Sequence, residues 1–259
     1  MQAKPEIIWL SEVDSTNRYA MNNFDALADG TLVAAEFQTA GKGRQNRTWI
    51  SPRGENIYAS FVMKNLAPPV CNASIIASLG ALRMLRQAAP EVKFWIKWPN
   101  DICCGLKKIA GILCESKLSA AASGMVAGIG ININMPESAL DAIDQPATSL
   151  AAETGRNSDL QSTVTVLADE LRKLYADYST APRQVFELWK QENLLIGKTV
   201  EIVDAGQRQL QGRIADIGES GEIYFETGGQ TLKFYSGDIR IRKESLDGDA
   251  LFSPRELKK

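Results

Sequence analysis

The sequence predicts an α+β fold: a mixed, largely antiparallel sheet with helices packed on it, followed by a small C-terminal SH3-like β-barrel. Three observations carry this expectation. Short apolar runs of strand character follow one another through the first half with only brief turns between them, which favours antiparallel pairing over parallel crossovers. Residues 74–89 place apolar side chains at 75, 76, 79, 82 and 85, the spacing of an amphipathic helix, and Pro90 closes it. From Gly197 the pattern changes abruptly to short strands with glycine turns, a stretch of about 45 residues that suits a small all-β module.

The elements follow in order. EIIWLSEV (6–13) reads as a strand and leads into Asp14, Ser15, Thr16 and Asn17, a run rich in helix N-cap side chains ahead of the helical period RYAMNNF. TLVAAEF (31–37) is a strand that delivers the chain into a glycine-containing loop, and NIYASFVM (56–63) is the strand that takes it away. VKFWIKW (92–98) alternates as a strand and stops at Pro99, with Trp95 and Trp98 as core residues of a half-buried strand. CCGLKK (103–108) reads as a tight hairpin connection into the strand IAGILCE (109–115), and MVAGIGININM (125–135) is apolar and small enough to lie centrally. Residues 135–160 read as surface loop with 147–150 docked, and helices are expected at 164–178 and 184–195, the second just after Pro182. The final strands are KTVEIVD, RQLQGRIADI, GEIYFET, GQTLKFY and DIRIR, and from Lys243 the tail has no convincing period. The expected division is a main domain over 1–195, a β module over 196–243 and a flexible tail over 244–259.

Composition narrows the chemistry. The 259 residues are 44% hydrophobic, enough for a sizeable core. A formal net charge of -2 and the absence of a block of lysines and arginines give no basis for nucleic-acid binding. The N-terminal apolar run is too short for a signal-peptide core and no apolar span is long enough to cross a bilayer, so a cytoplasmic protein is expected. Cys71, Cys103, Cys104 and Cys114 read as packing thiols, two of them adjacent in sequence. The chain has no histidine. Ser-His-Asp and Cys-His catalysis, HExxH zinc sites and any imidazole base are thereby excluded, and chemistry must run on Lys, Arg, Asp and positioning.

Two polar clusters stand out. QTAGKGRQNRTW (38–49) sets Lys42, Arg44 and Arg47 among Gly41 and Gly43, and KWPND (97–101) follows a strand end. The glycines let backbone approach a ligand closely, and the cations suit an anionic, phosphorylated one. A charged glycine loop alone reads better as a solvated connection than as a site; the second cluster changes that balance. The loop lacks the third glycine of a dinucleotide fingerprint, and no Walker glycine-lysine-serine or glycine-lysine-threonine ending occurs.

Together with STN (15–17), KWPNDI (97–102), KKIAGILCE (107–115), GIGIN (128–132) and a β module ending in GDIRIR, these segments resemble the biotin protein ligases, the biotin–[acetyl-CoA-carboxylase] ligases, in order and spacing over nearly the whole chain. The resemblance implies an ATP-dependent ligase that joins biotin to ATP as biotinyl-5′-AMP and passes it to a lysine of a biotin carboxyl carrier protein or domain. It implies biotin as substrate, ATP and Mg²⁺, with the metal ligands unassigned, and a monomer or weak homodimer. Only fourteen residues precede Ser15, too few for the winged helix-turn-helix of the repressor members, so a form without DNA-binding role is expected.

Carried over by position, Arg44, Lys108 and Asp101 resemble the catalytic set: Arg44 on the phosphates, Lys108 between the biotin carboxylate and the α-phosphate, Asp101 facing the incoming lysine. Ser15, Thr16, Asn17, Gln38, Gly41, Lys42, Gly111 and Gly128, with Arg44 and Lys108, resemble the biotin contacts. Lys42, Arg44, Arg47, Trp49, Lys97, Asn100, Lys108, Asn132 and Arg242 resemble the ATP contacts. Helix capping is an alternative use of Ser15 and Thr16, and a turn cap an alternative use of Asp101. Lipoate or octanoate ligases and a silent biotin or biotinyl-AMP sensor are the alternative functions.

Overall fold

A computed structural model describes residues 5–66, 71–118, 123–204 and 208–241. Arg242 and the 244–259 tail lie outside the described residues. The first half runs β1 (Ile7–Leu10), α1 (Thr16–Asn22), β2 (Leu32–Ala35), β3 (Ile57–Met63), α2 (Cys71–Ala88), β4 (Phe94–Lys97), β5 (Asp101–Cys104), β6 (Lys107–Leu118) and β7 (Ser123–Ile131). These strands form one sheet in the order β1-β2-β3-β7-β6-β5-β4. Only β1 and β2 pair in parallel, joined through α1; every other neighbour is antiparallel.

After α3 (Glu137–Leu140) and α4 (Leu150–Thr154) come α5 (Leu160–Thr180) and α6 (Pro182–Gln191). Helices α2 and α5 pack on one face of the sheet, with α6 against both. Gly80 allows the close crossing of α2 and α5, since a Cβ there would stand 2.6 Å from Leu171 Cδ2. Trp189 of α6 is buried, and its indole donates to Ser78 Oγ of α2 at 3.0 Å, satisfying both polar groups inside the core. On the opposite face α1 closes a smaller cluster of Ala20, Phe24, Leu27, Val33, Val62 and Val126. The open part of that second face, over β3, β7 and β6, is where the polar clusters gather.

The segment 135–160 departs from the expected loop. Ser149 caps α4, accepting from Ala152 N at 3.0 Å and donating to Met135 O at 2.7 Å, and Gly155 ends it at φ 73. Helices of four and five residues are shorter than one amphipathic repeat, so no period announces them. Likewise α5 begins at Leu160 under the Asp159 cap, ahead of its apolar period, and α6 ends at Gln191 rather than 195. The 101–104 segment is a strand in its own right, and the connection shrinks to a turn at Gly105, φ 54. Cys103 and Cys104 are buried; burial pushes the Cys103 thiol up to about 12, as packing thiols require.

The C-terminal strands β8 (Thr199–Val203), β9 (Gln209–Ile217), β10 (Ile223–Thr227), β11 (Gln230–Phe234) and β12 (Asp238–Arg240) form an antiparallel sheet in the order β11-β10-β9-β8-β12. Among the described residues the module is this open sheet, which does not by itself establish the expected SH3-like barrel. Three-residue β12 spends its pairing on β8, from Asp238↔Val203 to Arg240↔Glu201, and no ladder joins it to β11. Among the described residues no helix is long and apolar enough to cross a membrane.

Candidate active site

The glycine loop leaves β2 and folds on itself. Lys42 bridges Thr48, Gly43 N donates to Arg47 O at 2.7 Å and Trp49 N to Gly41 O at 3.0 Å, around a short 3-10 turn at Arg44–Asn46. Gly41 is required at the base of the loop, where a Cβ would stand 2.5 Å from Trp49 O and 2.7 Å from Ser51 Oγ.

A polar chain runs from this base into the sheet. Gln38 Oε1 accepts from Thr16 N at 2.9 Å and Thr16 Oγ1 at 3.2 Å, which turns Gln38 Nε2 toward Ser51 Oγ at 3.1 Å. Ser60, fully buried on β3, lies 2.8 Å from Thr16 Oγ1 and 2.7 Å from Asn17 Oδ1. Asn17 Nδ2 then donates to Leu113 O at 3.0 Å and to Glu115 Oε2 at 2.8 Å. Ser15 stands at the N-cap position of α1 with extended backbone but makes no side-chain cap bond. The hydroxyl of Thr16 is likewise turned to Gln38 and Ser60 rather than to the helix end. Such a buried, mutually oriented set holds donors and acceptors in fixed directions.

Beside it the sheet surface is floored by glycine. Gly111 and Gly130 are register partners on β6 and β7, and Gly128 lies opposite Ser60 on one side and Leu113 on the other. A Cβ on Gly130 would stand 2.4 Å from the Trp49 ring, one on Gly111 3.0 Å from it, and one on Gly128 2.4 Å from Asn17 Oδ1. Trp49 thus lies flat on backbone, its buried Nε1 without a hydrogen-bond partner among the described residues.

The cations converge at the rim. Arg44 donates to Asn100 Oδ1 at 2.8 Å, while Asn100 is clamped to β6 through Asn100 Nδ2 to Ile112 O at 2.6 Å and Ile112 N to Asn100 O at 2.8 Å. Lys108 Nζ stands 2.7 Å from Asp101 Oδ1, both largely shielded from solvent, and 5.5 Å from the Trp49 ring centroid. Asp101 is therefore an ion-pair partner of Lys108. The docked segment 146–148 fixes Lys108 from behind: Lys108 N donates to Pro146 O at 2.9 Å and Thr148 N to Lys108 O at 2.9 Å.

Arg44, Lys108, Asp101, Asn100, Trp49, Thr16, Asn17, Gln38, Gly41, Gly111 and Gly128 are thus brought together. Others go elsewhere. Arg47 pairs with Asp238 at the start of β12. Asn132 is buried, its Nδ2 spent on Thr148 O at 3.0 Å, where it braces the segment behind Lys108. Lys97 is the register partner of Asp101, and exposed Lys42 has no ion-pair partner among the described residues. Ser51, Ser60 and Glu115 join the site unforeseen. A serine inside the apolar run NIYASFVM was the available signal, since a hydroxyl in a buried strand needs a partner. Among the described residues no group of three or more acids or cysteines gathers that could hold a metal ion.

A mixed α+β sheet with a glycine floor and a cationic rim is the setting of an acid-activating ligase, and the pattern of the Biotin/lipoate A/B protein ligase family matches residues 9–132. The chain is 30% identical over 239 residues to the bifunctional ligase/repressor BirA of Escherichia coli strain K12, covering 90% of this chain and 73% of that one. With the biotin–[acetyl-CoA-carboxylase] ligase of Paracoccus denitrificans it shares 31% identity over 223 residues, 83% of this chain and 91% of the relative. The biotin protein ligase of Aquifex aeolicus in complex with biotin and ATP superposes with a TM-score of 0.76 at 26% identity, covering 92% of this chain and 98% of that one. The chain belongs to the biotin protein ligase family, and it is an enzyme, a ligase.

Proposed function

We propose that this ligase activates biotin with ATP to biotinyl-5′-AMP and transfers the biotinyl group to one lysine of a biotin carboxyl carrier domain. The observation that carries the reading is the pairing of Lys108 with Asp101 beside Arg44 on Asn100, set at the edge of a glycine floor next to the oriented Thr16–Gln38–Ser60–Asn17 chain. A bicyclic acid with a urea at one end needs such a mixture of few directed polar groups and flat backbone.

In the first step the biotin carboxylate attacks the α-phosphorus and pyrophosphate leaves, so negative charge crowds between two anions. Lys108 and Arg44 supply fixed positive charge there, and their supports on Asp101, Asn100 and the 146–148 segment limit reorganisation. In the second step the lysine amine of the carrier attacks the acyl carbon and AMP leaves with the bond electrons. Asp101 holds the incoming ammonium and takes its proton.

Mg²⁺ would enter this site with the nucleotide, its protein ligands unassigned. When bound it neutralises triphosphate charge. The second sheet is read as an SH3-like module over 196–243 attached to a catalytic domain over 1–195, in a cytoplasmic enzyme. Incubation with ATP, Mg²⁺, biotin and a purified carrier domain should label the carrier, detected by streptavidin; labelling that persists after the acceptor lysine is replaced by arginine would count against specific transfer.

Gly130→Ala should weaken nucleotide binding at least tenfold, read as a raised KM for ATP, because the added methyl displaces Trp49 from its seat. An unchanged KM would remove Trp49 from the nucleotide wall.

A further inference from the structure

The two sheets meet at the turn that carries Asn100 and Asp101. Trp98 is 1% exposed, and its indole Nε1 donates to Gly221 O, in the β9–β10 turn, at 2.7 Å. That turn is shaped for close approach. Gly221 has φ +79, and a Cβ there would stand 2.9 Å from Cys71 Cβ at the start of α2. Gly218 N donates to Glu222 O at 2.7 Å and Gly221 N to Gly218 O at 2.9 Å, closing the tip. Lys190 with Asp216 at 2.6 Å and Arg183 with Glu219 at 3.7 Å tie α6 to the same tip.

Between β4 and β5 only Trp98, Pro99 and Asn100 lie outside the ladder, whose last register pair is Lys97↔Asp101. Asn100 anchors this short turn to β6 and Trp98 anchors it to the other sheet, so the two hydrogen-bonded anchors define where Asp101 and the Arg44 acceptor stand. A phenylalanine would keep an aromatic ring in the core, though a smaller one, but would leave the buried Gly221 carbonyl without its donor.

We propose that Trp98 and Gly221 are positioning residues for the reaction: the C-terminal sheet sets the placement of the 98–101 turn, and through it Asp101, without touching substrate. The inference rests on the role given to Asp101 above. A misplacement of about 1 Å at a reacting group costs up to about 10²-fold in rate.

The test is a double-mutant cycle on single-turnover transfer of preformed biotinyl-5′-AMP to a purified carrier domain. Trp98→Phe should slow transfer about tenfold while the Kd for biotin stays within about twofold, and in an Asp101→Asn background the same change should cost less than about twofold. An unchanged rate, or the same tenfold loss in both backgrounds, would overturn the proposal and leave Trp98 as packing alone. Gly221→Ala approaches the contact from the other sheet and should show the same non-additivity, so the proposal stays testable if Trp98→Phe does not fold; additive behaviour of Gly221→Ala would overturn it equally. Absence of transfer by the unmodified enzyme would overturn the ligase reading itself, which the unmodified control separates from a failure of this inference.

Discussion

Lys108→Ala should lower biotin-dependent ATP–pyrophosphate exchange by about 10²–10³-fold, the usual cost of removing one preorganised donor from a site where charge develops. The size follows from how firmly this cation is held. Its backbone is hydrogen-bonded on both sides by the 146–148 segment and its Nζ is placed at 2.7 Å from Asp101 Oδ1, so little reorganisation is needed when phosphate arrives. Truncation also leaves a largely shielded carboxylate without its cation, which repels the incoming triphosphate. Lys108→Arg should recover only part of the rate, since a planar guanidinium does not substitute for a compact ammonium at the same point. Exchange within about threefold of the parent enzyme would take Lys108 out of the adenylation step.

Asp101→Asn should separate the half-reactions. Single-turnover transfer from preformed biotinyl-5′-AMP to a carrier domain should fall by about 10²-fold, within the range for loss of a general base, while biotin binding changes little. The amide keeps the volume and one acceptor oxygen but cannot take a proton from the lysine. The change also removes the ion pair to Lys108, so a smaller loss in exchange is expected. Equal losses in binding and in transfer would refute the division of labour between Lys108 and Asp101.

Much of this site is legible in the sequence because its chemistry is local. Lys108 and Gly111 fall within one strand, Asn100 and Asp101 are adjacent where a turn enters β5, and Gly41 to Trp49 lie within one loop. What the sequence hides are the long-range partners. Ser60 lies more than forty residues from Thr16 and Asn17, and Gly221 more than a hundred from Trp98; only the fold shows that they meet. Nor does the sequence show that Arg47 pairs with Asp238 of β12, or that Asn132 donates to Thr148 in the segment behind Lys108. The β module shows a related limit. Five short strands with glycine turns are visible as a pattern, whereas their order, with the last strand β12 paired to the first, β8, depends on pairing that alternation does not encode.

ATP–pyrophosphate exchange on the purified protein with Mg²⁺, comparing biotin, lipoate and octanoate as the activating acid, tests the central claim most directly. The account predicts exchange with biotin and at most trace exchange with the two fatty acids. Exchange supported by lipoate or octanoate and not by biotin would contradict it, and so would the lack of exchange with any of the three.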